Sequence, residues 1–211
     1  MAMTQTQTVP KEVAYQSIAE GWQMRMTVPE MEAYRHALRG TKCLVEFGCG
    51  GSTIFAAQMG VSEIYCVDSD ADWIKRVSSS PEIAQSGVRL SARYADIGPV
   101  GNWGSPQDER TKARWPNYHS QIWNEVRADT VDCLLIDGRF RVACTLQALL
   151  RVGSQTKLAF HDFWEREHYH VVLPFLNICE KVDTLLIATP KAGLIPANLY
   201  RYLNPHMFDP R

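Results

Sequence analysis

The feature that most limits what this chain can become is the alternation, from Lys42 onward, of short apolar runs with amphipathic stretches. The runs Cys43–Phe47, Glu63–Val67, Val88–Tyr94, Val131–Ile136 and Lys157–Phe160 predict strands. The stretches Thr53–Met59, Ala71–Ser78, Val142–Arg151 and His170–Cys179 predict helices, and two further strands are expected at Thr184–Ala188 and Ala197–Leu203. Strands separated by helices need right-handed crossovers, so the expected class is α/β with a parallel sheet.

Upstream, Glu12–Glu20 and Pro29–Arg39 carry helix-like spacing, the second opened by Thr27 with Glu30 three positions on, a capping box. The Thr/Gln-rich Met1–Pro10 reads as a disordered tail, leaving 11–211 as one domain with N-terminal helices. With 211 residues, 45% of them hydrophobic, the chain can fill one substantial core but hardly two. A formal charge of -1 gives no global attraction to nucleic acid or to an anionic membrane surface. No apolar run approaches a membrane span, and the start lacks the layout of a secretory signal, so a cytoplasmic location is expected. The six cysteines are scattered without a C-x-x-C pair, which argues against structural zinc and a disulfide framework.

The stretch Glu46-Phe47-Gly48-Cys49-Gly50-Gly51-Ser52-Thr53 ends a strand and opens a helix, where glycines let backbone N–H groups approach a ligand and the helix terminus favours negative charge. A dinucleotide fingerprint would need glycine at position 53, and Thr53 stands there, which weakens an NAD-dependent oxidoreductase reading. Asp68 follows about 20 residues after Gly48 at the end of the next strand, where a carboxylate can accept both ribose hydroxyls of an adenosine. Asp96 ends the strand after that and is placed for an adenine amine.

Together these residues resemble the class I S-adenosylmethionine-dependent methyltransferases. Glu46-Phe-Gly48-Cys-Gly50 is similar to their first motif, Asp68 to their ribose acid and Asp96 to their adenine-side acid. The resemblance implies a doubly wound, Rossmann-like, mostly parallel seven-stranded sheet with helices on both faces. It also implies a C-terminal antiparallel hairpin, here from 184–188 and 197–203, and a cofactor held by Glu46, Gly48, Gly50, Ser52, Asp68 and Asp96. The block Asp96–Gly104, followed by Leu135–Cys144, resembles a bacterial group of methyltransferase-like proteins of undefined substrate.

Asp137, and then His161-Asp162, end two successive strands and converge on one rim of the sheet. The arrangement resembles the metal-dependent small-molecule O-methyltransferases, which implies Mg²⁺ on Asp137 and Asp162. The other chemistry for the cluster makes His161 a general base toward a substrate hydroxyl. Arg139 or Arg141 is expected to bind an anionic substrate group. The irregular segment Ile97–Tyr118, with Trp103, Trp115, Tyr118 and the adjoining His119, is expected to form a lid over substrate. His168 and His170, two apart, do not share a helix face and are read as surface residues. The expected activity is O-methylation of a small molecule or sugar, with a non-catalytic methyltransferase-like binding protein as the competing reading. Nucleic-acid methylation is disfavoured because Asp137-Gly138-Arg139-Phe140 stands where an Asn-Pro-Pro-Tyr-like tetrapeptide is expected. Apolar exposure on the final hairpin would suit a homodimer.

Overall fold

A computed structural model describes residues 16–211. The tail assigned to residues 1–10 and the start of the helix expected at 12–20 lie outside them. Two strands, β1 (Gln16–Ala19) and β2 (Trp22–Met24), form an antiparallel hairpin where a helix was expected. The turn is made by Gly21 at φ 74°, a conformation glycine adopts without steric cost. Trp22, Met24 and Met26 are all buried, a period of two that fits a strand covering the core and not a helix.

Helix α1 (Val28–Leu38) follows, and Thr27 and Glu30 make the expected reciprocal capping bonds at 3.2 and 2.8 Å. The main sheet then begins with β3 (Cys43–Phe47), α2 (Gly51–Gln58), β4 (Glu63–Asp68), α3 (Ala71–Ser78), α4 (Pro81–Ser86) and β5 (Arg89–Tyr94). A segment of 3-10 turns with one short helix, α5 (Pro116–Ser120), leads to β6 (Cys133–Ile136), α6 (Arg141–Leu149) and β7 (Lys157–Phe160). The chain ends with a 3-10 stretch (Glu167–Phe175), β8 (Leu176–Val182), β9 (Leu185–Pro190) and α7 (Pro196–His206).

Seven strands form the sheet in the order β5-β4-β3-β6-β7-β9-β8, parallel except for β9, which runs antiparallel to both β7 and β8. The antiparallel hairpin is therefore β8–β9, one element earlier than the sequence suggests. Residues 197–203 are helical, because Leu199 and Leu203 are the positions they bury, four residues apart, while Tyr200 is exposed. The helical geometry expected to run to Cys179 is 3-10 and ends at Phe175, one residue past Pro174, and β8 starts at Leu176.

The strand order reverses between β3 and β6, the place where open α/β sheets leave a crevice beyond their carboxyl ends. β3 and β6 are buried along their whole length, as expected of parallel strands covered on both faces. The apolar core is divided by the sheet, with the α5, α6 and α7 side chains among those on one face and α1, α2, α3 and the hairpin among those on the other. No described helix is long and apolar enough to cross a membrane.

The hairpin lies against the start of α2, where a Cβ on Gly51 would stand 2.1 Å from the Gln23 carbonyl oxygen. Gly51→Ala should therefore displace β2 and lower stability in urea unfolding by about 1–3 kcal/mol, the usual cost of overpacking. Gly153→Ala, with open space around the added carbon, should change it by less than about 1 kcal/mol.

Candidate active site

The crevice at the strand-order reversal is built first from backbone. Gly48 has φ 90°, and a Cβ there would meet Gly138 at 2.6 Å, so the ends of β3 and β6 touch through two glycines. The N–H of Gly48 donates to the Val67 carbonyl and that of Asp137 to the Phe47 carbonyl, each at 2.9 Å, which carries the sheet ladder to the rim. Behind the turn, the Glu46 carboxyl is fully buried and bonded to the hydroxyls of Ser52 and Thr53, while Thr53 Oγ1 accepts from the Gly50 N–H at 2.9 Å. Burial pushes the Glu46 carboxyl up to about 8, against the lowering effect of those hydroxyls, so it is neutral at physiological pH.

Asp68 sits across the glycine turn. Its Oδ1 accepts from the Asp70 N–H at 3.0 Å and its Oδ2 from the Cys49 N–H at 3.3 Å. Burial outweighs these bonds and raises the carboxyl to about 6. The indole of Trp73 donates to the Cys49 carbonyl, and the Arg76 guanidinium lies between the rings of Trp22 and Trp73, 4.7 and 4.9 Å from their centroids. Arg76 also donates to the Gly21 carbonyl at 2.6 Å, which clamps the hairpin onto this wall.

The far side of the crevice is a charge network. Arg141 is buried and spends its guanidinium on backbone carbonyls, those of Gly138 (2.9 Å), His161 (2.6 Å) and Asp137 (2.9 Å), and it lies 3.3 Å from Asp137 Oδ1 and 3.4 Å from Asp162 Oδ2. Arg166 pairs with Asp162 at 2.7 Å. His161 is buried, with Nδ1 3.0 Å from Asp137 Oδ1 and Nε2 3.6 Å from Glu30 Oε2. Glu30 is buried too; its Oε1 accepts from the N–H and the hydroxyl of Thr184 at 2.8 and 2.7 Å. Burial would lower the imidazole pKa, but the carboxylates of Asp137, Glu30 and Asp162 outweigh it and raise it to about 10. Burial likewise opposes ionisation of Glu30 and Asp137; His161 is the chief partner that reverses this, holding Glu30 near 2 and Asp137 below the usual carboxylate range. Asp162 and Phe140 both take left-handed backbone, at φ 56° and 54°, strain of the kind that gathers at functional sites.

Between these walls lies a cavity of about 790 Å³, inside the range of small-molecule sites, lined from both sides by Gly48, Gly50, Asp68, Asp137, Arg139 and His161 among others. No protein family profile matches the chain, and no curated protein is significantly similar to it in sequence. Among solved structures it is similar to a methyltransferase-like protein from Silicibacter pomeroyi, with 28% identity and a TM-score of 0.78 over 90% of this chain and 98% of the other. The chain has the class I S-adenosylmethionine-dependent methyltransferase fold. A tRNA m1G37 methyltransferase from M. jannaschii (10% identity, TM-score 0.43, over 80% of this chain and 52% of the other) and the N-terminal domain of EvdMO1 with SAH bound (14%, 0.40, 84% and 70%) superpose too loosely to bear on this chain.

Within this methyltransferase fold, Gly48, Gly50, Ser52, Asp68, Trp103, Asp137, Arg139, His161 and Asp162 all line the cavity. Glu46, Asp96 and Tyr118 do not. Glu46 braces the glycine turn from behind. Asp96 is exposed, its Oδ2 paired with Arg114 at 2.7 Å and its Oδ1 holding the Gly98 N–H at 3.0 Å. Tyr118, Trp115 and His119 are buried around Phe140, so of the aromatic lid expected from sequence only Trp103 reaches the mouth, where Arg25 lies 5.5 Å over its ring.

Two chemical expectations change. A general base needs a free lone pair, and His161 is held as an imidazolium with both nitrogens facing carboxylates. A Mg²⁺ ion does not fit either: ligand atoms of Asp137, His161 and Asp162 lie within 4.8 Å of one another, but Arg141, Arg166 and the imidazolium already balance the carboxylates. The residues that sequence reading left out are Trp22, Trp73, Arg76 and Arg166 on the walls and Glu30 beneath His161; the capping box had marked Glu30, but only as a cap.

The signs for pH follow from these shifts. The raised His161 pKa contributes stability that is full below about 6.5 and is lost as pH rises through about 10; the depressed Glu30 pKa contributes stability present above 4.5 and lost as pH falls through about 2. An NMR titration should place the His161 midpoint near 10, and Glu30→Gln should lower it by roughly 1–3 units. A midpoint in the ordinary histidine range in the unaltered protein would contradict the network. Glu30→Ala, which strips a buried imidazolium of one partner, should cost about 3–5 kcal/mol in urea unfolding.

Proposed function

We propose that this chain binds S-adenosylmethionine and methylates a hydroxyl group of a small molecule. The observation that carries the cofactor assignment is Asp68: a half-buried carboxylate in the cavity, close to the glycine turn, whose pKa is raised to about 6. Ribose hydroxyls would supply donors that favour its ionised form. The glycine turn beside it lets a ligand's polar groups approach backbone, and at Gly50 a side chain would crowd the wall, its Cβ standing 3.2 Å from the Trp73 ring.

A dinucleotide is less well accommodated. Its pyrophosphate needs the open N-terminus of the first crossover helix, and here the Gln23 carbonyl of the hairpin covers Gly51. Thr53, in place of the third glycine, is buried and committed to Glu46 and Gly50.

When bound, S-adenosylmethionine supplies an activated methyl group, so the residues around it have mainly to position the acceptor and take its proton. Asp137 is placed for this. Its Oδ1 is held by His161 and Arg141, while Oδ2 carries no hydrogen bond among the described residues, and its side chain is 30% exposed in the cavity. Oδ2 would accept a hydrogen bond from an acceptor hydroxyl and hold its oxygen at the end of β6. The proton that this hydroxyl gives up on methylation would leave by way of Asp137 to water.

Calorimetric titration with S-adenosylhomocysteine tests the cofactor assignment. Binding at micromolar strength is expected at pH 7.5, about tenfold weaker at pH 5 as Asp68 takes up a proton below its pKa near 6. Asp68→Asn should bind at least about tenfold more weakly at pH 7.5 and lose the pH dependence, because a hydrogen bond to a charged group is removed. Absence of binding by the unaltered protein, or an unaffected Asp68→Asn, would refute the assignment.

A further inference from the structure

We infer that the acceptor carries an oxyanion, a carboxylate or a phosphate, beside its methylated hydroxyl, and that Arg139 is the residue that receives it. The inference rests on the cofactor reading above for the word acceptor, but the anion site itself stands on separate observations.

Arg139 lines the cavity two residues after Asp137. Its position is fixed at two points: the backbone N–H donates to Tyr118 Oη and Nη1 donates to Ser105 Oγ, both at 3.3 Å. The other edge of the guanidinium, Nε and Nη2, makes no hydrogen bond among the described residues, and Nε is buried. No carboxylate of the described residues lies within 4.0 Å of it. The neighbouring cations are in a different condition. Arg141 pairs with Asp137 and Asp162, and Arg166 pairs with Asp162.

A guanidinium that has lost much of its water and gained no counter-ion is costly to keep. Burial, and then repulsion from Arg141, hold its pKa below the ordinary arginine value. The edge left without partners, Nη2 with the buried Nε beside it, is the one that meets a carboxylate or phosphate with two parallel N–H bonds, which a lysine could not do. Aspartates are present at the rim, yet Arg141, Arg166 and His161 occupy them. No described carboxylate lies within ion-pair distance of Arg139, the charge of Asp137 reaching it only from further off, and the cavity is the open side from which a counter-ion would come. An acceptor with its hydroxyl on Asp137 and its oxyanion on Arg139 satisfies both unpaired groups at once.

The test uses the full chain saturated with S-adenosylhomocysteine and titrated with inorganic phosphate or with acetate at constant ionic strength set by chloride, followed by thermal melting and calorimetry. Phosphate or acetate should raise the melting temperature where chloride does not, and whichever binds more tightly names the group. Arg139→Gln should weaken that binding tenfold or more; Arg139→Lys, which keeps the charge, should recover part of it, and Ser105→Ala should weaken it less than Arg139→Gln does. The inference is overturned if neither anion is bound by the unaltered protein, or if both arginine variants, folded by circular dichroism, bind as the unaltered protein does. It is also overturned if Arg139→Gln loses tenfold in S-adenosylhomocysteine affinity, which would assign Arg139 to the cofactor. Failure of S-adenosylhomocysteine to bind, with Arg139-dependent anion binding intact, would remove the methyl-transfer reading and leave the anion site.

Discussion

The rest of the site depends on the buried guanidinium of Arg141. Parallel strands end with carbonyls that no further strand residue satisfies, and at the ends of β6 and β7 those of Asp137, Gly138 and His161 all accept from this one side chain. The same group stands against Asp137 and Asp162, so a single cation holds two strand ends together and sets the direction of two carboxylates. A buried ion network of this kind adds little net stability over an apolar replacement, but losing any one member leaves the others uncompensated. Its value here is geometric. Asp137 keeps one oxygen committed and one open because His161 and Arg141 share Oδ1.

The opposite wall reaches the same end without ion pairs. Gly48 and Gly138 bring two strand ends into backbone contact, and Glu46, neutral in its buried setting, ties Ser52 and Thr53 behind the turn. One wall is therefore rigid through packing and hydroxyl bonds, the other through ion pairs. The left-handed residues Trp103, Phe140 and Asp162 all lie on or beside the cavity, and the surrounding bonds hold each in a conformation that costs of order 1–3 kcal/mol.

The sequence makes some of this legible and conceals the rest for physical reasons. Cys43–Phe47, Ala71–Ser78 and Lys157–Phe160 can be read residue for residue, because hydrophobic period and polar flanks agree there. At 197–203 the apolar residues crowd closely enough to suit either period, and only burial at Leu199 and Leu203 separates helix from strand. The Gly21 turn, with Trp22, Met24 and Met26 alternating after it, carried the signal for the hairpin that a helical reading of 12–20 passes over. Asp96 has the strand-end position of a ligand residue, but Arg114, in the loop that follows, takes its carboxylate. The contact of Glu30 with His161 joins residues far apart in the chain, and no local pattern encodes it. The protonation of His161 is further removed still, since it follows from three carboxylates that meet only after folding.

The two halves of the cavity differ in charge, and the difference bears on the order of events in the proposed reaction. Asp68, Asp70 and Arg76 line the half beside the glycine turn; at the other, Arg141, Arg166 and the His161 imidazolium are paired with Asp137 and Asp162, which leaves Arg139 as the cation without an ion-pair partner among the described residues. A cationic sulfonium bound between the halves would be repelled by Arg139. An oxyanion on Arg139 reverses that repulsion, so filling the acceptor half should make the cofactor half more favourable for the sulfonium and not for its neutral product. Loss of the positive charge on methyl transfer would remove the attraction between the two ligands at the point where they must separate. On the proposed reading, the unpaired edge of Arg139 would be more than a contact for the acceptor: it would make the cavity's preference for the charged cofactor conditional on the acceptor being present.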